Sequence, residues 1–362
     1  MYARPYSGAM SAVYRNPTPP PIPWLSEGIF DFWSTKLHPL WTLRRPLARV
    51  VARQSASADA ITLELAPNRH FSGLQAGQHI SIGVEIDGRM TRRSYSPTVL
   101  ANGHLSITFK VIPGGLLTEH LAQHVTIGDV LDIGQAFGQM TVATDATQPL
   151  LLLAAGSGIT PMRALVAQLD RAGMPVPVTL LYWARTREEL CFAQELTAVA
   201  QRHAQFRVEF ALTRQGDMPA ARIDDADLSM LDELGAYRAL ACGPGGFVEA
   251  ARARLGHHVA AFESEAFSVP ALADVEEGQV EVELTQSGRR ITVERGTSLL
   301  VALEQAGVAV ASGCRMGICN TCVCGKSRGV TRHTLTGEYA GEPSIPLKLC
   351  VSSASTDIAL EL

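Results

Sequence analysis

The sequence predicts a chain of three domains of different class: an antiparallel β-barrel, an α/β domain on a parallel sheet, and an α+β domain of β-grasp-like character. Three observations predict it. Residues 46 to about 145 read as short strands punctuated by Gly, Asp and Pro. Residues 146–267 alternate strand and helix patterns, as a doubly wound parallel sheet requires. From residue 278 a strictly alternating segment, Gln279-Val280-Glu281-Val282-Glu283-Leu284, leads into a cysteine-rich loop. The length of 362 residues suits two to three domains at roughly 150 each.

Taken in order, residues 1–23 are Pro-rich and polar (Pro17, Pro19, Pro20, Pro21, Pro23), too poor in apolar side chains to order themselves, and are expected to be a disordered or extended tail. Three of the four tryptophans fall between Trp24 and Trp41. Ile29, Phe32, Trp33, Leu37 and Leu40 follow a helical spacing until Pro39 interrupts it. Residues 24–45 therefore read as a helix packed on a neighbouring domain. The alternative is a surface for a membrane or a membrane-bound partner, since Trp beside Lys36, Arg44 and Arg45 suits a bilayer interface.

Within the barrel segment, Ala60–Leu65, Gln78–Glu85, Arg93–Ser96 and Leu105–Ile112 are the expected strands, and Asp87-Gly88 is a hairpin signal. In the α/β segment the strands are Leu150–Leu153, Val178–Trp183, Arg207–Leu212 and Ala239–Cys242, with a helix over Met162–Leu169. Residues 268–277 form a polar connection. The last domain, 278–362, adds a strand over Arg290–Glu294, a helix over Ser298–Ala306 closed by Gly307, and a final strand over Asp357–Leu362.

Composition excludes several function classes. With 31 basic against 35 acidic residues and a net charge of −4, no basic excess exists to neutralise nucleic acid. The apolar run Leu150–Ala155 stops at Gly156, far short of the ~18 residues that span a bilayer. The opening MYARPYSGAM lacks the apolar core of a secretory signal. Seven cysteines are an odd number, and five lie in the last 49 residues. A secreted disulfide framework would spread and pair them, so a cytoplasmic chain is expected, with the leader against the inner face of the membrane as the further option.

The cysteine spacing is Cys314-x4-Cys319-x2-Cys322, with Cys350 arriving after 27 further residues. This is the plant-type 2Fe–2S spacing: three thiolates from one tight loop, turned by Gly313 and Gly317, and a fourth from a distant segment. Zinc ribbons bring two separate close pairs instead. Residues 278–362 resemble the plant-type ferredoxins. Their acidic and basic side chains balance at eight each, unlike free ferredoxins, because a tethered domain needs less long-range steering. Cys324 falls outside the pattern and reads as a small buried residue.

A one-electron cluster cannot accept a hydride, so a group that splits an electron pair is needed upstream. Arg93-Ser94-Tyr95-Ser96-Pro97 resembles the R-x-Y-S flavin motif of the ferredoxin-NADP reductase superfamily. The resemblance implies that Arg93 binds flavin phosphate, Tyr95 packs on the isoalloxazine and Ser96 lies near N5. Gly77-Gln78-His79, Lys110, Gly114-Gly115-Leu116-Leu117-Thr118, Gly128-Asp129 and Phe137-Gly138 follow the same family order. Gly115 lets backbone N–H groups approach a phosphate, and Thr118 opens a helix whose positive end favours an anion. FAD is the flavin implied, although some relatives with this domain order use FMN.

The strand at Leu150–Leu153 runs into Gly156-Ser157-Gly158-Ile159-Thr160-Pro161, where Gly156 and Gly158 permit close approach of a pyrophosphate, Thr160 can cap the following helix and Pro161 suits its first turn. Cys242-Gly243-Pro244 matches the superfamily's segment beside the nicotinamide, and Glu265-Ala266-Phe267 its terminal E-x-F. Arg185, Arg187 and Arg214 follow strands where related NADPH enzymes supply cations to the 2′-phosphate, and no acid stands at 183–187, which favours NADPH over NADH.

The resemblance covers residues 46–362 and is to single-chain reductases with a C-terminal ferredoxin that feed oxygenases and desaturases. Tyr95, Ser96 and Cys242 are its catalytic residues, and an external electron acceptor is its partner. The aromatic leader looks most like the subgroup serving membrane diiron acyl-CoA desaturases. A soluble oxygenase partner is the alternative, and a non-catalytic redox relay or sensor is the alternative of another class.

Overall fold

The computed structural model of the protein describes residues 27–214, 222–226, 231, 233–266, 278–341 and 346–362. The Pro-rich tail, Trp24, Phe267 and the connection 268–277 lie outside the described residues. The chain divides into two compact units that meet at Arg45 and Pro46.

In the first unit, helix α1 (Glu27–Leu37) ends two residues before Pro39, as the missing proline N–H requires. Its apolar stripe does not face a core. Ile29, Phe32, Trp33, Leu37 and the following Trp41 are all more than half exposed, whereas Asp31 and Ser34 are buried. The returning chain explains this: Asp31 Oδ1 accepts from the Leu43 N–H at 2.7 Å, and the Ser34 hydroxyl donates to the Trp41 carbonyl at 2.7 Å. Residues 38–45 thus fold onto the polar side of α1, because buried polar groups must be hydrogen-bonded.

The second unit opens with β1 (Leu47–Ser57), β2 (Ala60–Pro67), β3 (Ile80–Ile86), β4 (Arg89–Tyr95), β5 (Thr98–Val99) and β6 (Leu105–Lys110), then helix α2 (Leu116–Gln123) and β7 (Val130–Ile133). They form one antiparallel sheet in the order β4-β3-β7-β1-β2-β6-β5, curled into a half-barrel around Leu63, Leu65, Ile80, Ile82, Ile107 and Leu121. Asp87-Gly88 is the two-residue turn of the β3–β4 hairpin, both residues having positive φ. The longest strand, β1, is invisible to pattern reading because bulges between Val50 and Ala52 and between Ser55 and Ser57 break its alternation. The second expected strand begins at Ile80 rather than Gln78, since His79 makes only an isolated bridge to Phe137.

Next come β8 (Leu150–Ala155), α3 (Ile159–Arg171), β9 (Val178–Ala184), α4 (Ala193–Arg202), β10 (Phe206–Leu212), β11 (Arg238–Gly243), α5 (Gly245–Leu255) and β12 (Ala261–Ala266). The sheet is wholly parallel, in the order β10-β9-β8-β11-β12. Every residue of β8 and β9 is buried, as expected of strands covered on both faces. Winding reverses between β8 and β11, and ligands bind outside the carboxyl ends of strands at such a point. The segments Gly156–Pro161 and Cys242–Pro244 leave the sheet there.

The final part has β13 (Gln279–Leu284), β14 (Arg289–Glu294) and helix α6 (Leu299–Gln305). Ser298 caps α6 by accepting from the Val301 N–H, and Gly307 follows with a φ of 72°. β13 pairs antiparallel with β14 and parallel with Ile358–Leu360, the mixed arrangement of a β-grasp. The last strand starts at Ile358 because Asp357 instead accepts a hydrogen bond from the Glu281 N–H with its carboxylate.

Candidate functional site

The β3–β4 hairpin pairs Ile82 with Arg93 and Ile80 with Tyr95, which carries the R-x-Y-S segment to the carboxyl end of the parallel sheet. A cavity of about 290 Å³, of ligand-site size, lies there. It brings together Arg93, Tyr95, Ser96, Lys110, Gly115 and Thr118 from the half-barrel, Thr160 from α3, and Cys314 from the cysteine loop. Gly156, Gly158, Pro161, Arg185, Arg214, Cys242, Gly243 and Pro244 are not in its lining.

Two buried polar atoms of cavity-lining residues fit a polar ligand. The hydroxyls of Tyr95 and Ser94 are buried with no hydrogen-bond partner, a costly state unless a bound molecule supplies one. Burial pushes the Tyr95 phenol above its usual range, so it stays a donor. Its ring packs on Phe109, with centroids 5.9 Å apart. Burial, and then the charge of Arg315, lowers the pKa of the Arg93 guanidinium, so an anion beside it relieves both costs. These are the features a flavin and its phosphate need.

Several expected roles change in the structure. Thr160 is not the cap of α3: it sits in the first turn and its hydroxyl donates to the Ser157 carbonyl at 3.1 Å, because a single 3-10 turn over Gly156–Gly158 already starts the helix. Gly158 serves packing, since a Cβ there would lie 2.0 Å from the Cys242 carbonyl oxygen. Gly156, with φ of 57° and open space beside it, is the glycine that leaves room for a ligand. Cys242 is fully buried under this turn, and burial raises its thiol pKa well above normal; as placed, the thiol does not reach the cavity.

Gly115 is likewise a packing glycine. A Cβ there would meet Thr118 Oγ1 at 2.7 Å and the Ile112 carbonyl at 2.8 Å. Thr118 lies in the first turn of α2 and accepts from the Ile112 N–H. Lys110 Nζ is committed to Asp59 at 2.8 Å and Glu189 at 3.0 Å. Arg185 shares the same two carboxylates, with Nε 2.8 Å from Glu189. The exposed Arg214 stands beside it, donating its backbone N–H to the Arg185 carbonyl. Arg185 and Arg214 thus meet at the carboxyl ends of neighbouring strands β9 and β10, a proximity their sequence separation conceals.

The cysteine loop is preorganised. Among the described residues no three His, Cys, Asp or Glu side chains converge on one point; the four thiols meet instead as two pairs, Cys314 with Cys319 and Cys322 with Cys350. Two irons with two thiolates each require that division. A hydrogen bond from the Cys314 thiol lowers the pKa of Cys319, and one from the Cys350 thiol lowers that of Cys322. Backbone N–H groups of Met316, Ile318 and Cys319 point at Cys314 Sγ within 3.4 Å, and that of Gly317 at Cys350 Sγ at 3.3 Å. A Cβ at Gly313 would lie 2.7 Å from Cys319 Sγ, and Gly317 takes a φ of 76°. These features fit a 2Fe–2S cluster. Cys324 is buried, and burial pushes its thiol up to about 12, as a bystander would be.

Sequence reasoning missed His79 and Met316 as lining residues. His79 precedes its strand in the sequence and faces the cavity only because β3 pairs with β4; Met316 does so only because the cysteine loop lies on the half-barrel.

Comparison with known proteins agrees with this geometry. Residues 47–141 match the oxidoreductase FAD-binding domain, 152–253 the oxidoreductase NAD-binding domain, and 282–353 the 2Fe-2S iron-sulfur cluster binding domain. An NADPH oxidoreductase of Mycobacterium tuberculosis is 33% identical over 334 residues, covering 90% of this chain and 86% of its own. The chain belongs to the ferredoxin-NADP reductase superfamily. The reductase is also similar to the glycine betaine monooxygenase reductase of Pseudomonas aeruginosa, 27% identical over 74% of this chain and 80% of that one. Phthalate dioxygenase reductase shares its fold, with a TM-score of 0.59 and 22% identity over 87% of this chain and 97% of that one. It is thus an oxidoreductase passing electrons from NAD(P)H through FAD to a 2Fe–2S cluster. No helix among the described residues is long and apolar enough to cross a membrane.

Proposed function

We propose that this reductase takes hydride from NADPH and delivers single electrons to a membrane-bound diiron desaturase. The observation that carries the electron path is the shared cavity: Cys314 and Met316 of the cluster loop line the same space as Tyr95 and Ser96. FAD held in this cavity would supply the conversion of a two-electron hydride into single electrons.

The residues around it bind and orient. Tyr95 offers an aromatic face and a buried hydroxyl donor, Arg93 offers a cation to phosphate, and Ser96, in the cavity lining, is the residue that the R-x-Y-S resemblance would set near N5. Thr160 closes the cavity from the nicotinamide side. The Arg315 guanidinium is held by Glu304, which fixes the loop that carries Cys314 and Met316.

Arg185 and Arg214 support a preference for NADPH, as does the relative that bears that coenzyme in its name. Because Glu189 and Asp59 partly neutralise Arg185, the preference is expected to be modest. Replacing both arginines by Ala is expected to lower kcat/KM for NADPH about tenfold, roughly 1.4 kcal/mol, while that for NADH changes less than twofold in steady-state assays. Equal losses with both coenzymes would show that the arginines do not read the 2′-phosphate.

The exposed apolar face of α1, with Trp33 and Lys36, and the exposed Trp41 after it support a membrane-bound acceptor. Co-sedimentation with anionic liposomes is expected for the full chain and lost without residues 1–45; equal partitioning sinks the membrane reading. The second reading is a soluble oxygenase partner, favoured by relatives such as the terephthalate 1,2-dioxygenase reductase component. Reconstitution with each acceptor class separates the two.

A further inference from the structure

Four charged side chains meet where the half-barrel touches the carboxyl end of the parallel sheet. Asp59, in the turn between β1 and β2, and Lys110, closing β6, come from the half-barrel, whereas Arg185 and Glu189 follow β9. One oxygen of each carboxylate serves both cations. Asp59 Oδ2 lies 2.8 Å from Lys110 Nζ and 3.4 Å from an Arg185 terminal nitrogen, and Glu189 Oε2 lies 3.0 Å from Lys110 Nζ and 2.8 Å from Arg185 Nε. The turn that carries Asp59 is pinned. The Ala58 N–H donates to the Glu188 carbonyl at 2.9 Å, the Val111 N–H to the Asp59 carbonyl at 2.8 Å, and the Ser57 hydroxyl to Asp59 Oδ1 at 2.9 Å. Asp59 thus faces an arginine 126 positions away in the chain.

The four members differ in exposure. Arg185 keeps 51% of its side chain exposed, whereas Lys110, Asp59 and Glu189 keep 25% or less, so Arg185 is the one able to turn toward a solute. Lys110 then holds both carboxylates, and neither is left without a cation. Burial works against the charge on Asp59, but hydrogen bonds from Lys110 and Ser57 outweigh it and hold its carboxyl below the usual range. It stays ionised at neutral pH. Once Arg185 has turned away, two carboxylates face one ammonium, and the uncompensated negative charge repels a phosphate dianion but not a neutral ribose hydroxyl.

We infer that Asp59 is a specificity-determining residue that the flavin half-barrel supplies to the coenzyme site: it competes with the 2′-phosphate for Arg185 and so keeps the discrimination between NADPH and NADH low. This rests on the reading in which Arg185 and Arg214 receive that phosphate. No acid stands at 183–187 to oppose it from within the parallel sheet. The opposing charge at Arg185 comes in part from another sheet.

Asp59→Asn in the full-length holoprotein keeps an oxygen for the Ser57 hydroxyl and removes the charge. Its kcat/KM for NADPH is expected to rise about fivefold through KM, the upper end for a partly exposed ion pair, while kcat and both parameters for NADH change less than twofold. Binding is read without turnover by competitive inhibition: 2′,5′-ADP is expected to tighten by the same factor and 5′-AMP to stay as in the parent. Asp59→Glu, which keeps the charge, is expected to behave as the parent. In an Arg185→Ala chain the Asp59→Asn change is expected to gain nothing, because the competition has lost its object. An unchanged NADPH-to-NADH ratio, an equal change with both coenzymes, or a gain that persists in Arg185→Ala overturns the inference. If Asp59→Asn does not fold, Asp59→Ser is put to the same measurements. The two readings fail separately. If replacing Arg185 and Arg214 together leaves the coenzyme ratio at the parent's value, the phosphate reading fails; if that ratio falls while Asp59→Asn leaves it unchanged, only the role of Asp59 fails.

Discussion

A Cys319→Ala chain is expected to purify with its flavin bands and without the cluster, losing both irons by metal analysis. Cys319 is one member of the Cys314 pair, and its sulfur accepts from the Cys314 N–H and the Thr321 hydroxyl, both at 3.1 Å. Removing it leaves one iron with a single protein thiolate. Reduction of cytochrome c, which needs the cluster, is expected to fall to below about one hundredth, more than the loss of an outer partner of a metal site causes. Ferricyanide, which takes electrons from the flavin directly, is expected to be reduced at near the parent rate. Loss of both activities together would place the flavin and cluster in series for every acceptor and refute the separation. A preparation of the parent holding zinc in place of iron would remove the scheme altogether.

Gly158→Ala is expected to be the most destabilising single methyl addition in the nicotinamide part. The added Cβ meets the Cys242 carbonyl oxygen at 2.0 Å and its carbon at 2.4 Å, and neither is a side chain that can rotate away. Relief requires β11 and the turn after β8 to part, at a cost of about 3 kcal/mol or more. Denaturant titration followed by tryptophan fluorescence reads this, because Trp183 on β9 lies buried in the same layer. On the proposed coenzyme site, which this turn borders, KM for NADPH is expected to rise more than kcat falls. Gly156→Ala is the control: nothing lies within 4 Å of its added Cβ, leaving only the left-handed backbone penalty of about 1 kcal/mol. Equal costs at the two positions would show that the contact with Cys242 is not what constrains Gly158.

Much of the architecture was legible in local pattern. β13 alternates strictly because one face is buried and the other wet, and β8 is a continuous apolar run because both faces are covered. β1 was not legible, since its two bulges reset the alternation that pattern reading depends on. The leader was legible as a helix but not in its orientation. Periodicity identifies an apolar stripe, yet the hydrogen bonds from residues 38–45 to Asp31 and Ser34 decide which side is covered.

In the site, spacing determined the chemistry wherever the ligands are local. Cys314, Cys319 and Cys322 lie in one loop, and Arg93, Tyr95 and Ser96 in one hairpin, so the cluster and flavin readings came from short stretches of chain. What spacing does not contain is which distant groups satisfy one another. Lys110 and Arg185 look like free cations in the sequence and turn out to share Asp59 and Glu189. Cys242 looks like a site residue and is covered by the Gly158 turn. His79 gains its partners only when Ser96 and Glu265, one 17 positions away and the other 186, close on its two nitrogens. The sequence alone determined which cofactors this chain is built to hold and in what order, because those motifs are short and their geometry is set by neighbours along the chain. Only the tertiary structure decided which charges and hydrogens remain available to those cofactors, because a buried polar group is defined by the partner it meets, and that partner comes from another sheet.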